Sequence, residues 1–166
     1  INSVCSRNGS TLLLLNFLSW IKSNHPEIEC HVLSATGGTL SSEFDSVCSK
    51  HYKVYEKKNL IYRSIRYVLR KSGVIKLQHR LLYDYEIAKI GRNKYDIIYN
   101  NTIFNLDLST ILKVNCSIPK MILHVHEMQN FINSVHPRFE VFVPSVDLFV
   151  AVSKSVKGGL VRNWNV

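Results

Sequence analysis

Short apolar runs alternate along this chain with longer stretches of helical periodicity, and this alternation limits the folds that the chain can adopt. Six runs have the length and apolar character of buried strands, namely residues 1–5, 28–35, 52–55, 95–99, 120–125 and 148–152. Strands that alternate with helices predict an α/β fold in which a parallel sheet carries helices on both faces. A length of 166 residues predicts one domain, residues 1–166.

The stretches between these runs predict the helices that cover the sheet. Residues 10–24 carry a wide apolar face, which predicts a mostly buried helix. Thr39 is predicted to cap a helix over residues 40–49, with Glu43 in its first turn, where a negative charge suits the helix dipole. Further helices are predicted over residues 106–114 and 153–162, and residues 127–135 predict a helix or a long loop.

The basic character of the chain comes from one segment, residues 57–94. It contains eleven Lys and Arg residues and two acidic ones, so its net charge of +9 equals that of the whole chain. Within it, Arg63, Arg66 and Arg70 lie opposite the apolar side of a predicted helix. This basic face is either a solvated helix surface or a surface that meets anionic lipid headgroups or lipid-linked substrates. Nucleic acid ranks last, because no nucleic-acid-binding motif accompanies the charge.

Three features of the sequence bear on its compartment. The longest unbroken apolar run has five residues, far fewer than the roughly 20 that a membrane-spanning helix needs. None of the four cysteines forms a C-x-x-C pair, and no feature of the sequence indicates an oxidising compartment. The chain starts at Ile1 without a signal-peptide pattern. We therefore expect a cytoplasmic protein, with the inner face of the membrane as a candidate contact, and a chain that begins partway into a longer gene.

Small, polar and ionisable residues come directly after five of the predicted strands. In open α/β sheets, ligands bind beyond the carboxyl ends of the strands, so these residues predict the place of a site. They are Asn8, Gly9 and Ser10 after the first strand, Gly37 and Gly38 after the second, Asn101 and Thr102 after the fourth, His126 and Glu127 after the fifth, and Ser153 after the last.

The segment from Asn8 to Ser10 joins the first predicted strand to the first predicted helix. Glycine allows close approach of a ligand to the backbone, and free N–H groups at a helix start attract anions. An ordinary strand–helix turn explains the same residues equally well. The segment is neither a G-x-G-x-x-G fingerprint nor a P-loop, so a standard dinucleotide or P-loop site is disfavoured.

The most reactive cluster of the sequence is His124-Val125-His126-Glu127. On a strand, His124 and His126 face the same side. A zinc site needs further ligands, which the sequence does not indicate, so no metal is expected. His124 is predicted to be a structural histidine. His126, at the strand end beside Glu127, is the better functional candidate, because neutral imidazole can bind sugar hydroxyls or accept a proton near pH 7.

The order of these motifs resembles the N-terminal domain of a GT-B glycosyltransferase, close to the family 4 retaining enzymes. The likeness runs from end to end of the chain, although Asn8-Gly9 stands where family loops often carry two adjacent glycines. It is carried by Gly9-Ser10 with the helix after them, by residues 37–40 with Glu43-Phe44, and by residues 95–102, 124–127 and 146–153.

The resemblance implies a Rossmann-like domain that forms the acceptor side of a cleft, while a second domain, absent from this chain, holds the nucleotide-sugar donor. It implies transfer of a sugar, with retained anomeric configuration, to the hydroxyl group of an acceptor that is a sugar or a lipid-linked molecule. His126 would line the reaction centre as the catalytic residue, and Gly9 and Ser10 would lie near the donor phosphates and the acceptor. No cofactor or obligatory metal is implied, because helix dipoles and basic side chains offset the diphosphate charge. Residues 1–166 alone are expected to be inactive, since transition-state stabilisation needs both walls of the cleft.

Two other interpretations stay open. The chain could be a stand-alone α/β binding module, although the Ser6-Arg7-Asn8 sequence lacks the clustered aspartates of a receiver domain. It could instead be a peripheral membrane or polyanion-binding protein that uses the basic segment. A hydrolase is disfavoured, because the chain has no G-x-S-x-G motif.

Overall fold

The computed structural model describes residues 1–53 and 88–166, and it contains two three-stranded sheets whose strands are all parallel. The first sheet consists of β1 (Asn2–Val4), β2 (His31–Thr36) and β3 (Lys50–Lys53), in that spatial order. The second consists of β4 (Ile97–Asn100), β5 (Lys120–Val125) and β6 (Leu148–Ala151), again in that order. The predicted parallel α/β class is confirmed.

Two backbone hydrogen bonds join the two sheets, between the start of β1 in the first sheet and the end of β4 in the second. The amino group of Ile1 donates to the Tyr99 carbonyl, and the Asn101 N–H donates to the Ile1 carbonyl over 3.0 Å. This is the pattern of neighbouring parallel strands, with Ile1 opposite Asn100. The strands therefore follow the order β3-β2-β1-β4-β5-β6. Because the direction of winding reverses between β1 and β4, a crevice is expected at the carboxyl ends of these two strands.

Within residues 1–53 and 88–166, five helices lie between the strands or after the last one, and residues 88–90 are also helical. The five are α1 (Gly9–Asn24), α2 (Ser41–Val47), α3 (Leu106–Asn115), α4 (Gln129–Val135) and α5 (Lys154–Trp164), with short 3-10 helices at Ile103–Asn105, Phe139–Val141 and Val143–Ser145. Among the residues described, none of these helices is long and apolar enough to cross a membrane.

Two hydrophobic clusters lie on opposite faces of the sheet, as the predicted fold requires. Val32 and Leu33 are consecutive in β2 and enter different clusters, since successive side chains of a strand point to opposite faces. The Val32 cluster contains Leu14 and Leu18 of α1 and Phe44 of α2. The Leu33 cluster contains apolar side chains of α3, α4 and α5, including Leu112, Ile132 and Leu160.

Two local predictions about the helices are wrong. Thr39 does not cap α2: Leu40 occupies the N-cap position without a side-chain hydrogen bond, and the Ser41 hydroxyl accepts the Gly38 N–H. Helix α1 is less buried than predicted, because a helix on one face of a sheet buries one stripe. Its Leu13, Phe17 and Trp20 stay 39–53% exposed. Glu43 does lie in the first turn of α2, as predicted.

The N-terminus of α1 depends on Asn8. The Asn8 side-chain oxygen accepts the Thr11 N–H and the Ser10 hydroxyl, each over 2.9 Å. Replacing Asn8 with alanine is expected to lower the free energy of unfolding by about 1 kcal/mol, because a capping bond is lost. Urea denaturation measures this loss. Asn16→Ala, at an exposed position inside the same helix, is the control, and an equal effect of both changes would show that the cap is unimportant.

Most of the basic segment lies outside the described residues. Arg63, Arg66 and Arg70 belong to this part of the chain, so the predicted anion-binding or membrane surface stays a prediction.

Candidate functional site

The predicted site residues outside the basic segment come after strands of the parallel sheets, so they lie at the carboxyl edge. They differ in what holds them there. Asn8, Gly9 and Ser10 start α1, Gly37 and Gly38 link β2 to α2, and Asn101 and Thr102 come after β4. His126 and Glu127 come after β5, and Ser153 after β6.

The β4 loop and the start of α1 are in direct contact at the switch in winding. The Asn101 side-chain amide donates to the Ser10 carbonyl over 3.0 Å, and Asn101 is fully buried. This bond holds the two segments that border the crevice expected between β1 and β4. Thr102 has a local role, because its hydroxyl accepts the Phe104 N–H at the start of the next 3-10 helix.

Gly9 and Gly38 are glycines for different reasons. Gly9 is exposed, and apart from its chain neighbours and its own helix backbone no atom lies within 4 Å of the position that its Cβ would take. A Cβ on Gly38 would lie 2.3 Å from the Cys5 carbonyl oxygen. Gly38 therefore permits the loop after β2 to pack against the loop after β1, and the Leu40 N–H completes this contact by donating to the Cys5 carbonyl over 2.9 Å. Gly37 has room for a Cβ, 3.5 Å from the Ser41 hydroxyl oxygen.

The rings of His124 and His126 pack against each other on one face of the sheet, with their planes tilted by 39°, as their spacing predicts. Their ring centroids are 4.2 Å apart, and the Tyr99 hydroxyl lies 2.6 Å from His124 Nδ1. Burial, with a smaller contribution from the charge of His126, lowers the pKa of His124 to about 4. Burial also lowers the pKa of His126. Both rings are thus neutral at pH 7, and His126 is half-buried at the end of β5.

Glu127 folds back onto the loop that carries it. One carboxylate oxygen accepts the backbone N–H of His126 over 3.0 Å. Burial raises the pKa of Glu127, and hydrogen bonds from backbone N–H groups oppose this shift in part. A carboxyl group with a raised pKa beside a neutral imidazole is a combination suited to proton transfer near neutral pH.

Several polar atoms that are buried without a partner belong to residues at or after the carboxyl ends of β4 and β5. Among the described residues, six buried side-chain atoms have no hydrogen-bond partner: Asn2 Oδ1, both amide atoms of Asn100, Asn101 Oδ1, Asn105 Nδ2 and His126 Nε2. Five belong to the loops and ends of β4 and β5, and Asn2 sits opposite Asn101 across the junction with β1. Each such atom costs about 1–3 kcal/mol unless water or a ligand supplies a partner.

Ser153 is occupied in a structural role. Its hydroxyl accepts the Val156 N–H over 3.2 Å and so caps α5.

A groove of about 410 Å³ runs between β6 and α5, lined by Phe149, Ala151, Ser153, Lys154, Lys157, Leu160 and Val166. Its strand residues, Phe149 and Ala151, face away from His124, which pairs with Val150. The groove therefore lies on the other face of the sheet from the histidines.

In residues 1–53 and 88–166, no three His, Cys, Asp or Glu side chains group closely enough to hold a metal ion. The sequence places Asn100 at this edge beside Asn101, without indicating a role for it, and the structure buries it fully with its amide unpartnered. Sequence reasoning missed Tyr99, which holds His124. This contact depends on the pairing of β4 with β5, which no local pattern reveals.

Comparisons with protein-family models, with curated proteins and with solved structures find no match to this chain.

Proposed function

We propose that this chain is the acceptor-side domain of a retaining glycosyltransferase, which moves a sugar from a nucleotide sugar to a hydroxyl acceptor. The observation that carries the proposal is that unpartnered buried amide and imidazole atoms belong to residues at or after the carboxyl ends of β4 and β5, beside the point where the direction of winding reverses. Amide groups and a neutral imidazole both donate and accept hydrogen bonds without carrying charge. They suit a ligand rich in hydroxyl groups.

His126 is the proposed catalytic contact of the acceptor. As a neutral ring with an unpartnered Nε2, it can accept a hydrogen bond from the hydroxyl that receives the sugar. Asn101, fixed by Ser10, and Glu127, fixed by the His126 backbone, would orient the same acceptor. Gly9 and Ser10 at the start of α1 would face the donor phosphates, where the helix dipole favours negative charge without a metal.

The opposite wall of the cleft would come from a donor-binding domain that is not part of residues 1–166. Sugar transfer stabilises charge on donor and acceptor together, so one wall alone is expected to bind weakly and to transfer nothing. We expect the proposed reaction to take place in the cytoplasm, with a lipid-linked acceptor as one option at the membrane.

Acceptor binding can be tested on the chain itself. In ¹H–¹⁵N NMR spectra of residues 1–166, phenyl glycopyranosides are expected to shift the backbone amides of Asn101, His126 and Glu127. His126→Ala should weaken this binding about tenfold, which corresponds to one neutral hydrogen bond. His25→Ala, beyond the end of α1, is the control and should leave the affinity unchanged.

Two results would contradict the proposal. The first is that every glycoside tested leaves this edge unshifted or shifts the groove between β6 and α5 instead. The second is sugar transfer by residues 1–166 alone, since the proposal requires a second domain for that step.

A further inference from the structure

We propose that Tyr99 is a positioning residue of this site, whose hydroxyl sets the tautomer of His124 and, through the contact between the two imidazole rings, the orientation of His126. Tyr99 lies in β4, and both histidines belong to β5 and its end. The catalytic meaning of this arrangement rests on the proposed function, whereas the arrangement itself does not.

The contact between Tyr99 and His124 is short and directional. The hydroxyl oxygen lies 2.6 Å from His124 Nδ1, and His124 is 7% exposed. Burial raises the pKa of Tyr99, so the phenol keeps its proton at neutral pH, and in the proposed arrangement it donates that proton to His124 Nδ1. A neutral imidazole that accepts at Nδ1 must carry its own proton at Nε2. One tautomer of His124 is therefore selected.

Tyr99 and His124 lie in a row of rings that begins at Phe17 and ends at His126. Phe17 of α1 packs against Tyr99 with 5.4 Å between the ring centroids. On the other side, the His124 ring lies edge-on to Tyr99 and packs against His126, with ring centroids 4.2 Å apart and planes tilted by 39°. The row runs from a helix, across the sheet, to the carboxyl edge. Any rotation of His124 would move the surface on which His126 rests.

Long-range ¹H–¹⁵N NMR spectra of the imidazole rings report which nitrogen carries the proton. In the wild-type protein, we expect His124 as a single Nε2–H tautomer. In Tyr99→Phe, the His124 Nδ1 signal is expected to move toward the mean of the two tautomers, and the ring protons of His126 should shift. Phenylalanine keeps the ring that Phe17 contacts, so the fold should persist, and a thermal melt verifies it.

The chain offers a matched control. Tyr95 and His31 form a second tyrosine–histidine hydrogen bond, 2.8 Å long, at the amino edge of the sheet. Tyr95→Phe should leave the signals of His124 and His126 unchanged. In His124→Asn, an oxygen can still accept from Tyr99 but the ring contact is lost, so the His126 ring protons should shift in this variant as well.

The outcomes separate this proposal from the proposed function. An unchanged His124 tautomer in Tyr99→Phe would overturn the positioning role, even if the wild-type protein binds glycosides. A changed tautomer in a protein that binds no glycoside would leave the positioning role standing and would contradict the proposed function. If both proposals are correct, Tyr99→Phe should also weaken glycoside binding, by about tenfold.

Discussion

Replacing Gly38 with alanine is expected to lower the free energy of unfolding by about 3 kcal/mol, at the upper end of the range for overpacked sites. The added Cβ would lie 2.3 Å from the Cys5 carbonyl oxygen, 2.5 Å from its carbon and 2.9 Å from the Ser6 nitrogen. These are backbone atoms, which cannot rotate away as a side chain can. The loops after β1 and β2 would have to separate, and the hydrogen bond from Leu40 to Cys5 would stretch.

Urea denaturation of wild type and Gly38→Ala measures this effect. Gly9→Ala is the matched control at the same edge, because apart from its chain neighbours and its own helix backbone its Cβ would meet no atom within 4 Å. Since Gly9 is the first residue of α1, alanine there should be neutral or stabilise the protein by about 0.5 kcal/mol. Equal effects at the two glycines would contradict the close approach of the loops. In Gly38→Ala, the separation of the two loops would also move Ser6 and the residues after it, because Ser6 directly follows Cys5.

Acidification is expected to destabilise the protein through His124. Its pKa is about 4 in the folded chain and 6.5 in the unfolded chain. Between these values the unfolded chain binds the proton and the folded chain does not, so stability is complete above about pH 7 and falls as the pH drops toward 4. The full difference corresponds to about 3.4 kcal/mol at 1.36 kcal/mol per pH unit, and partial solvation reduces our expectation to about 2 kcal/mol.

The measurement compares the free energies of unfolding of wild type and His124→Asn at pH 7 and pH 4.5. His126, whose pKa is also lowered, acts in the same direction, whereas Glu127, whose pKa is raised, acts in the opposite one. The difference between the two proteins isolates the contribution of His124. A variant that loses as much stability on acidification as wild type would show that His124 is not buried in its neutral form.

Local sequence patterns predicted the elements better than their surroundings. The bounds of β5 were predicted correctly, because its apolar residues Met121, Ile122, Leu123 and Val125 stand between Pro119 and the polar pair His126-Glu127. The N-cap of α2 was predicted wrongly, because the residue at that position depends on how the loop with Gly37 and Gly38 packs against Cys5. The exposure of Trp20 was also missed. A wide apolar face does not reveal how much of it a neighbouring sheet can cover.

The candidate site shows the same contrast, because its positions could be predicted from the sequence but the roles of its residues could not. Positions directly after strands predicted the place of His126, Glu127 and Asn101, because parallel strands bring their carboxyl ends to one edge. Thr102 and Ser153 occupy positions of the same kind but cap helices, and Gly38 packs on backbone. Residue type does not separate these roles, since a serine that caps a helix and one that binds a ligand have the same side chain.

The sequence by itself determined that this chain has a parallel α/β fold and, to within one or two residues, where its strands end, because both follow from periodicities of two and 3.6 residues that are local to the chain. Tertiary structure alone decided that Tyr99 meets His124 and that His124 packs against His126. It also decided that Gly38 approaches Cys5 and that several amide atoms of the asparagines stay unpartnered. Desolvation and close contact depend on which strands become neighbours, and residues far apart in sequence set that together.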